Sequence, residues 1–156
     1  MGSLVIANKV EVVGEPTARV ELTKTARSAY EHLFENARTE LASSRGEGIA
    51  VQKMAQVDEA LDELGFRDPA NDIPLAGYLW PISWMVNGQM QLYYSRIIQQ
   101  RLVLVLHLGE LTTSPDSTYE LFAKLVLSGK FDQTMARLGI LIPKTFNNTA
   151  ISLRIQ

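Results

Sequence analysis

The fold of this chain depends on residues 87 to 111, which read NGQMQLYYSRIIQQRLVLVLHLGEL. One interpretation makes Asn87-Gly88 a tight turn between two strands, because both residues tolerate the positive φ that two-residue hairpin turns require. In that interpretation Leu102 to Leu108 forms a buried strand. The other interpretation makes Asn87 the N-cap of one long helix. The two interpretations lead to different fold classes.

The helical interpretation rests on which residues share a face. Apolar residues recur along one stripe of the helix, and polar residues recur along another at spacings of three, four or seven residues. Strict alternation of polar and apolar residues, which a half-buried strand requires, fails at Ile97-Ile98 and Gln99-Gln100. The sequence therefore favours a long helix from about 88 to 111, placed at the centre of a bundle. The apolar stripe consists of Tyr94, Ile97, Ile98, Leu102, Val105 and Leu106.

Two amphipathic helices precede this segment. Apolar residues recur at helical spacing from Thr23 to Leu41, and Ser43-Ser44-Arg45-Gly46 ends the pattern. A second helix is predicted over roughly 50 to 64, with Gly65 at its C-terminus. Residues 66 to 74 contain two prolines and several turn-forming residues, so they are expected to form a loop.

Two shorter helices are predicted after the central segment. Ser114-Pro115-Asp116 combines an N-cap hydroxyl, a proline at the first helical position and an acid near the positive end of the helix dipole. Gly129 ends the helix that begins there, and Gly139 closes a last short helix. The apolar residues of the last helix are Phe131, Met135 and Leu138.

The two ends of the chain read as strands. Valines alternate with charged residues within residues 4 to 22, around the turn cluster Gly14-Glu15-Pro16, which predicts a hairpin. Residues 150 to 155 alternate again. The predicted fold class is α+β but mainly α, a helical bundle with a small antiparallel sheet formed by the N-terminal hairpin and the C-terminal strand. The length of 156 residues predicts a single domain over 1–156.

Composition excludes several classes of partner and chemistry. Fifteen Lys and Arg stand against seventeen Asp and Glu, for a net charge of -2, so a nucleic-acid role requires a local basic patch. The lack of cysteine excludes disulfides and fits a reducing compartment. No apolar run approaches the roughly twenty residues that span a bilayer, and the start does not read as a signal peptide. We expect no membrane association and a cytoplasmic location, or the host cytoplasm or virion if the protein is viral or from a phage.

The chain contains no motif that predicts catalysis, a cofactor or a metal. Gly46-Glu47-Gly48 lacks the third glycine of a dinucleotide loop, and His32 and His107 do not have the spacing of zinc ligands. His107 interrupts an apolar run near Glu110 and Tyr94, but a general base also needs a partner that fixes its tautomer. We therefore predict no catalytic, cofactor-binding or metal-binding residue, and a chain that is not an enzyme.

Both tryptophans and several tyrosines lie between residues 75 and 96. Most of this aromatic segment is expected in the core, because aromatic side chains bury large areas. Tryptophan, tyrosine and arginine are also the residues enriched at interface hot spots, so part of the segment is a candidate partner-binding surface. The candidate residues are Tyr78, Trp80, Trp84, Tyr93, Arg96 and Arg101.

The favoured function is a non-enzymatic protein-binding or assembly module, a structural protein that forms a homo-oligomer or binds another protein. It would act through the aromatic surface or through edge strands at its termini. A second hypothesis is a small nucleic-acid-associated subunit of a larger complex, and a third is a small enzyme with a site near His107, Glu110 and Tyr94. The basic patch of the second hypothesis consists of Arg19, Lys24, Arg27, Arg96 and Arg101.

Overall fold

The computed structural model describes residues 16–43, 48–75, 82–111 and 117–138. Within these ranges five strands form one mixed sheet in the order β1-β5-β4-β3-β2. The strands are β1 (Arg19–Leu22), β2 (Ile73–Pro74), β3 (Ser83–Asn87), β4 (Met90–Ile97) and β5 (Leu102–Glu110). Helices α1 (Lys24–Ala42) and α2 (Ile49–Phe66) pack on one face of the sheet, and α3 (Thr118–Leu127) and α4 (Asp132–Arg137) pack on the other.

The segment predicted as one long helix is instead part of two successive hairpins. β3 and β4 pair antiparallel with Asn87 opposite Met90, so Gly88 and Gln89 form the turn. Gly88 has φ +61° and Gln89 has no positive φ, which is the pattern of a type II′ turn. Asn87 is not an N-cap: its side-chain Nδ2 donates a 2.8 Å hydrogen bond to the carbonyl of Gln56 on α2.

The second hairpin explains why alternation fails in the middle of this segment. β4 and β5 pair antiparallel with Ile97 opposite Leu102. A single 3-10 turn, Ile98–Gln100, and Arg101 with φ +48° connect them. The two pairs of identical residues that break the strand pattern therefore mark a tight connection, and the sequence prediction treated this break as a sign of a helix.

The sequence of β5 also fits a helical spacing of apolar residues, because this strand is buried on both faces. Residues 102 to 106 are each 5% exposed or less. Val103 and Val105 pack toward α1 and α2, whereas alternate leucines pack toward α3 and α4. Five consecutive apolar residues match a helical stripe as well as a buried strand. The predicted fold class, a mainly α helical bundle with a small terminal antiparallel sheet, is wrong: a mixed five-stranded sheet lies at the centre.

The helices on either side of the sheet were predicted more closely. Thr23 is the N-cap of α1 and accepts a 3.1 Å hydrogen bond from the amide of Ala26. α2 continues through Gly65, which is buried, and ends at Phe66. The N-cap of α3 is Ser117, while the predicted start at Ser114-Pro115-Asp116 lies outside the described residues. α4 confirms the last helix.

The predicted terminal sheet is only partly within the described residues. β1 comprises the last four residues of the predicted hairpin, and it pairs in parallel with β5, Arg19 opposite Leu102. The remainder of the hairpin before Pro16 and the predicted strand at 150 to 155 lie outside the described residues. In the predicted loop of residues 66 to 74, Ile73–Pro74 forms a short edge strand against β3. The single domain over 1–156 stays a prediction.

The turn at Gly88 provides a test of the first hairpin. An added Cβ would lie 2.4 Å from the Gln56 side chain, and positive φ is strained for residues other than glycine. Gly88→Ala should therefore lower the free energy of unfolding by about 1–2 kcal/mol, measured by urea denaturation. Gln89→Ala, at a turn position without positive φ, is the matched control, and its free energy of unfolding should fall by less than half as much. Equal losses would contradict the assigned turn.

Candidate functional site

The structure does not gather the predicted partner-binding residues into one surface. Tyr78 and Trp80 lie outside the described residues. Trp84 is half-buried and Tyr93 fully buried, both against the core beneath α3 and α4. Tyr93 is therefore a core residue, and Trp84 contributes mainly to the same core.

Arg96 lies on the opposite face of the sheet and is held by a carboxylate. Its Nε and Nη2 donate hydrogen bonds of 2.6 and 2.9 Å to the two oxygens of Asp72, and Tyr94 Oη donates a 2.7 Å hydrogen bond to the same group. Burial alone would raise the pKa of Asp72, but the bonds from Arg96 and Tyr94 outweigh it and lower that pKa. The network attaches the start of edge strand β2 to β4, so Arg96 is structural. Arg101 lies in the β4–β5 turn, with long 3.4 Å contacts to two backbone carbonyls.

The enzyme hypothesis grouped Glu110 and Tyr94 with His107, which lies on the other face of the sheet. Glu110 pairs with Lys53 of α2 at 3.1 Å, and Tyr94 packs in the core beneath α1 and α2. His107 faces the other side, where its ring is parallel to that of Phe122 on α3 at 6.4 Å. The three residues therefore do not form a site.

A β-bulge places His107 beside Tyr93. Tyr93 lies opposite His107 whereas Tyr94 lies opposite Val105, so Leu106 is an extra residue in β5 and directs the following side chain onto the same face. The Tyr93 ring stacks on Phe122 with centroids 4.4 Å apart. The sequence hypothesis grouped His107 with Tyr94 on one predicted helix, whereas the sheet places His107 opposite Tyr93.

Two polar atoms of this pair are buried without a hydrogen-bond partner among the described residues: His107 Nδ1 and Tyr93 Oη. Gln91 lies near enough to affect the Tyr93 pKa, but its geometry does not complete a hydrogen bond. Burial lowers the pKa of His107 and raises that of Tyr93, which favours the neutral form of both. Since Tyr93 is 0% exposed beneath α3, no substrate reaches its hydroxyl in this arrangement.

An open groove lies on the same face of the sheet, at the β1 edge. Its walls are the β1–α1 junction, the start of β5, and α4 with the turn before it, and its volume is about 500 Å³. Lys24, Lys130 and Arg137 line it, and none of them forms an ion pair with a described residue. The one carboxylate among its described lining residues, Glu21, is bound by Arg19 at 2.7 Å. We call this feature, defined by its three cations, the basic groove.

The N-terminus of α1 adds positive potential to the basic groove. The first turn of this 19-residue helix has no acidic residue and carries Lys24 and Arg27 instead. The helix dipole favours acids there by about 0.3–1 kcal/mol each, so cations at this end reduce stability unless an anion is bound. The sequence prediction included Lys24 and Arg27 in its patch. It missed Lys130 and Arg137, which only the packing of α4 against β5 brings to the same groove.

The described part of the chain offers no metal centre. It contains no group of three or more His, Asp or Glu side chains arranged to hold an ion. The sequence predictions of no catalytic, cofactor-binding or metal-binding residue stay predictions.

Comparisons with known proteins find only weak structural similarity. No protein-family model and no curated protein matches the sequence. Among solved structures, the chain is similar to the toxin–antitoxin complex RelBE2 from Mycobacterium tuberculosis, at 20% identity and a TM-score of 0.37 over 62% of this chain and 92% of that one. It is also similar to a metal-bound toxin from Helicobacter pylori, at 19% identity and a TM-score of 0.39 over 60% and 93%. Scores below 0.5 at this identity do not assign a function.

The prediction of a structural assembly module is wrong. In the structure itself, the described residues of the surface meant to mediate self-association lie on two faces of the sheet, and Tyr93 is buried. The helical bundle and homo-oligomer that accompanied this prediction are withdrawn with it. No helix within the described ranges is long and apolar enough to cross a membrane.

The lowered pKa of His107 predicts how stability depends on pH. His107 binds its proton less tightly in the folded protein than in the unfolded chain. Its contribution to the free energy of unfolding is therefore complete above the unfolded pKa of about 6.5 and decreases as the pH falls below that value. His107→Gln should therefore show a smaller loss of unfolding free energy between pH 8 and pH 5.5 than the wild type, measured by urea denaturation. The control His32→Gln, at an exposed histidine of α1, should keep the wild-type loss. An unchanged pH dependence in His107→Gln would contradict this assignment.

Proposed function

We propose that this chain binds single strands of nucleic acid, with the basic groove holding the phosphate backbone. The observation that carries the proposal is the convergence of Lys24, Lys130 and Arg137 on one open groove, where no described carboxylate forms an ion pair with them. Like charges repel, so an unneutralised cluster of this kind destabilises the fold until a polyanion binds. The positive end of α1 opens into the same groove and supports the same ligand.

Other groups along the groove suit a phosphate backbone. Arginine offers a planar fork and lysine a point charge to phosphate oxygens. Thr25, Gln133 and Thr134 add hydroxyl and amide donors of the kinds that contact phosphates in nucleic-acid complexes. Because the cations line a groove between packed elements instead of a protruding helix, the site suits one backbone better than the grooves of a duplex.

We propose binding and assign no cleavage step, because the buried pair formed by Tyr93 and His107 does not line the groove. The net charge of -2 provides no long-range attraction. Affinity should therefore depend on the cations of the groove and respond steeply to salt.

The test compares variants inside and outside the groove. Counterion release from single strands gives a slope of about −0.7 in log affinity against log salt for each phosphate contact, so three cations predict a slope of about −2. The double variant Lys130→Ala/Arg137→Ala should reduce that slope to about −0.7. Fluorescence anisotropy with labelled single-stranded RNA and DNA, over a series of salt concentrations, measures it.

The matched control is Lys124→Ala, at an exposed lysine of α3 that does not line the groove. It should keep the wild-type slope. Absence of binding by the wild type at low salt, or equal slopes in the double variant and the wild type, would show that the groove does not bind nucleic acid.

A further inference from the structure

β1 is the outermost strand of the described sheet, and one side of its backbone has no described partner. The amide of Arg19 donates to the carbonyl of Arg101, and the amide of Thr23 donates to that of Val105. Backbone groups of alternate residues in a strand point to opposite sides, so those of Val20 and Leu22 point away from β5. Among the described residues, these two N–H and two C=O groups of the edge have no strand partner.

An apolar depression follows this edge on the side of α2. Val20 and Leu22 of β1 line it together with Leu61 and Phe66 of α2, and its volume is about 360 Å³. Phe66 leaves 42% of its surface exposed there. The depression has room for the aliphatic side chains of a neighbouring strand but offers few polar groups to hold a free polar ligand.

The basic groove lies on the other side of the same edge. Lys24, Lys130 and Arg137 are on the α4 side, where Arg19 and Glu21 of β1 also project. A strand added beside β1 would have one side chain in two directed toward the apolar depression and the next directed toward the basic groove. The two sides of the edge thus favour opposite kinds of side chain.

We propose that a partner protein adds an extended segment to β1 as a further strand, and that this segment alternates apolar and acidic side chains. Its backbone pairs with Val20 and Leu22, its apolar residues fill the depression, and its carboxylates neutralise the basic groove. Pairing of the backbone supplies affinity, and the alternation supplies specificity. The inference is independent of the proposed function except for one consequence, that the segment and a nucleic-acid strand compete for the basic groove.

The experiment uses the full chain and a synthetic peptide that alternates valine and glutamate, with both ends blocked. Calorimetry should detect binding in the absence of nucleic acid. Hydrogen exchange followed by NMR should show the amides of Val20 and Leu22 slowed about tenfold by the peptide, because pairing protects them. The amide of Val103, inside the sheet, should not change.

Three controls separate strand addition from other kinds of contact. A peptide methylated on the backbone nitrogens that face β1 should bind about tenfold more weakly, because it cannot donate to the edge. A peptide with glutamine in place of glutamate should bind about fivefold more weakly and with less response to salt. Val20→Pro removes an outward N–H while leaving the hydrogen bonds to β5, so the unmodified peptide should bind this variant about tenfold more weakly.

Three results would overturn the inference. The first is no binding of the peptide by the full chain, and the second is equal binding of the methylated peptide. The third is protection of the Val20 and Leu22 amides in the free protein, which would show that the chain itself or a second copy already occupies the edge. Peptide binding without nucleic-acid binding would defeat only the proposed function, and the reverse result would defeat only this inference.

Discussion

The structure depends on the pairing of β5 on both of its edges while both of its faces are buried. It is antiparallel to β4 and parallel to β1, and helices cover it on each side. Its backbone groups can find partners only within the sheet, because an apolar environment offers no water to replace them. Several neighbouring elements are placed by this strand: β1 pairs along it and leads into α1, and α3 and α4 cover its second face.

The same burial explains which parts of the fold the sequence could predict. α1 and α2 each have a polar face, so their periodicity is visible along the chain, and their predicted limits lie within a few residues of the observed ones. β5 has no polar face, and a connection at residues 98 to 101 interrupts the pattern before it. Local alternation then carries no information about strand or helix, and only pairing with distant segments decides the outcome.

The candidate site was predictable to the same limited extent. Lys24 and Arg27 belonged to the predicted basic patch, and both lie at the start of α1. Lys130 and Arg137 reach the groove through tertiary packing, which a local pattern does not encode. The pairing of His107 with Tyr93 depends on one extra residue in β5, and an inserted residue changes which side chains share a face without leaving a mark in composition.

The two margins of the sheet differ in a way that limits growth of the molecule. At the β2 margin Pro74 lacks an N–H to donate, and the strand is only two residues long. At the β1 margin, the outward donors and acceptors of Val20 and Leu22 have no strand partner among the described residues. Copies that stack margin to margin into a continuous fibre need two receptive sides, and here only one of the described margins is receptive. Within the described residues, the sheet can therefore be extended at the β1 margin alone, which disfavours open-ended stacking of copies.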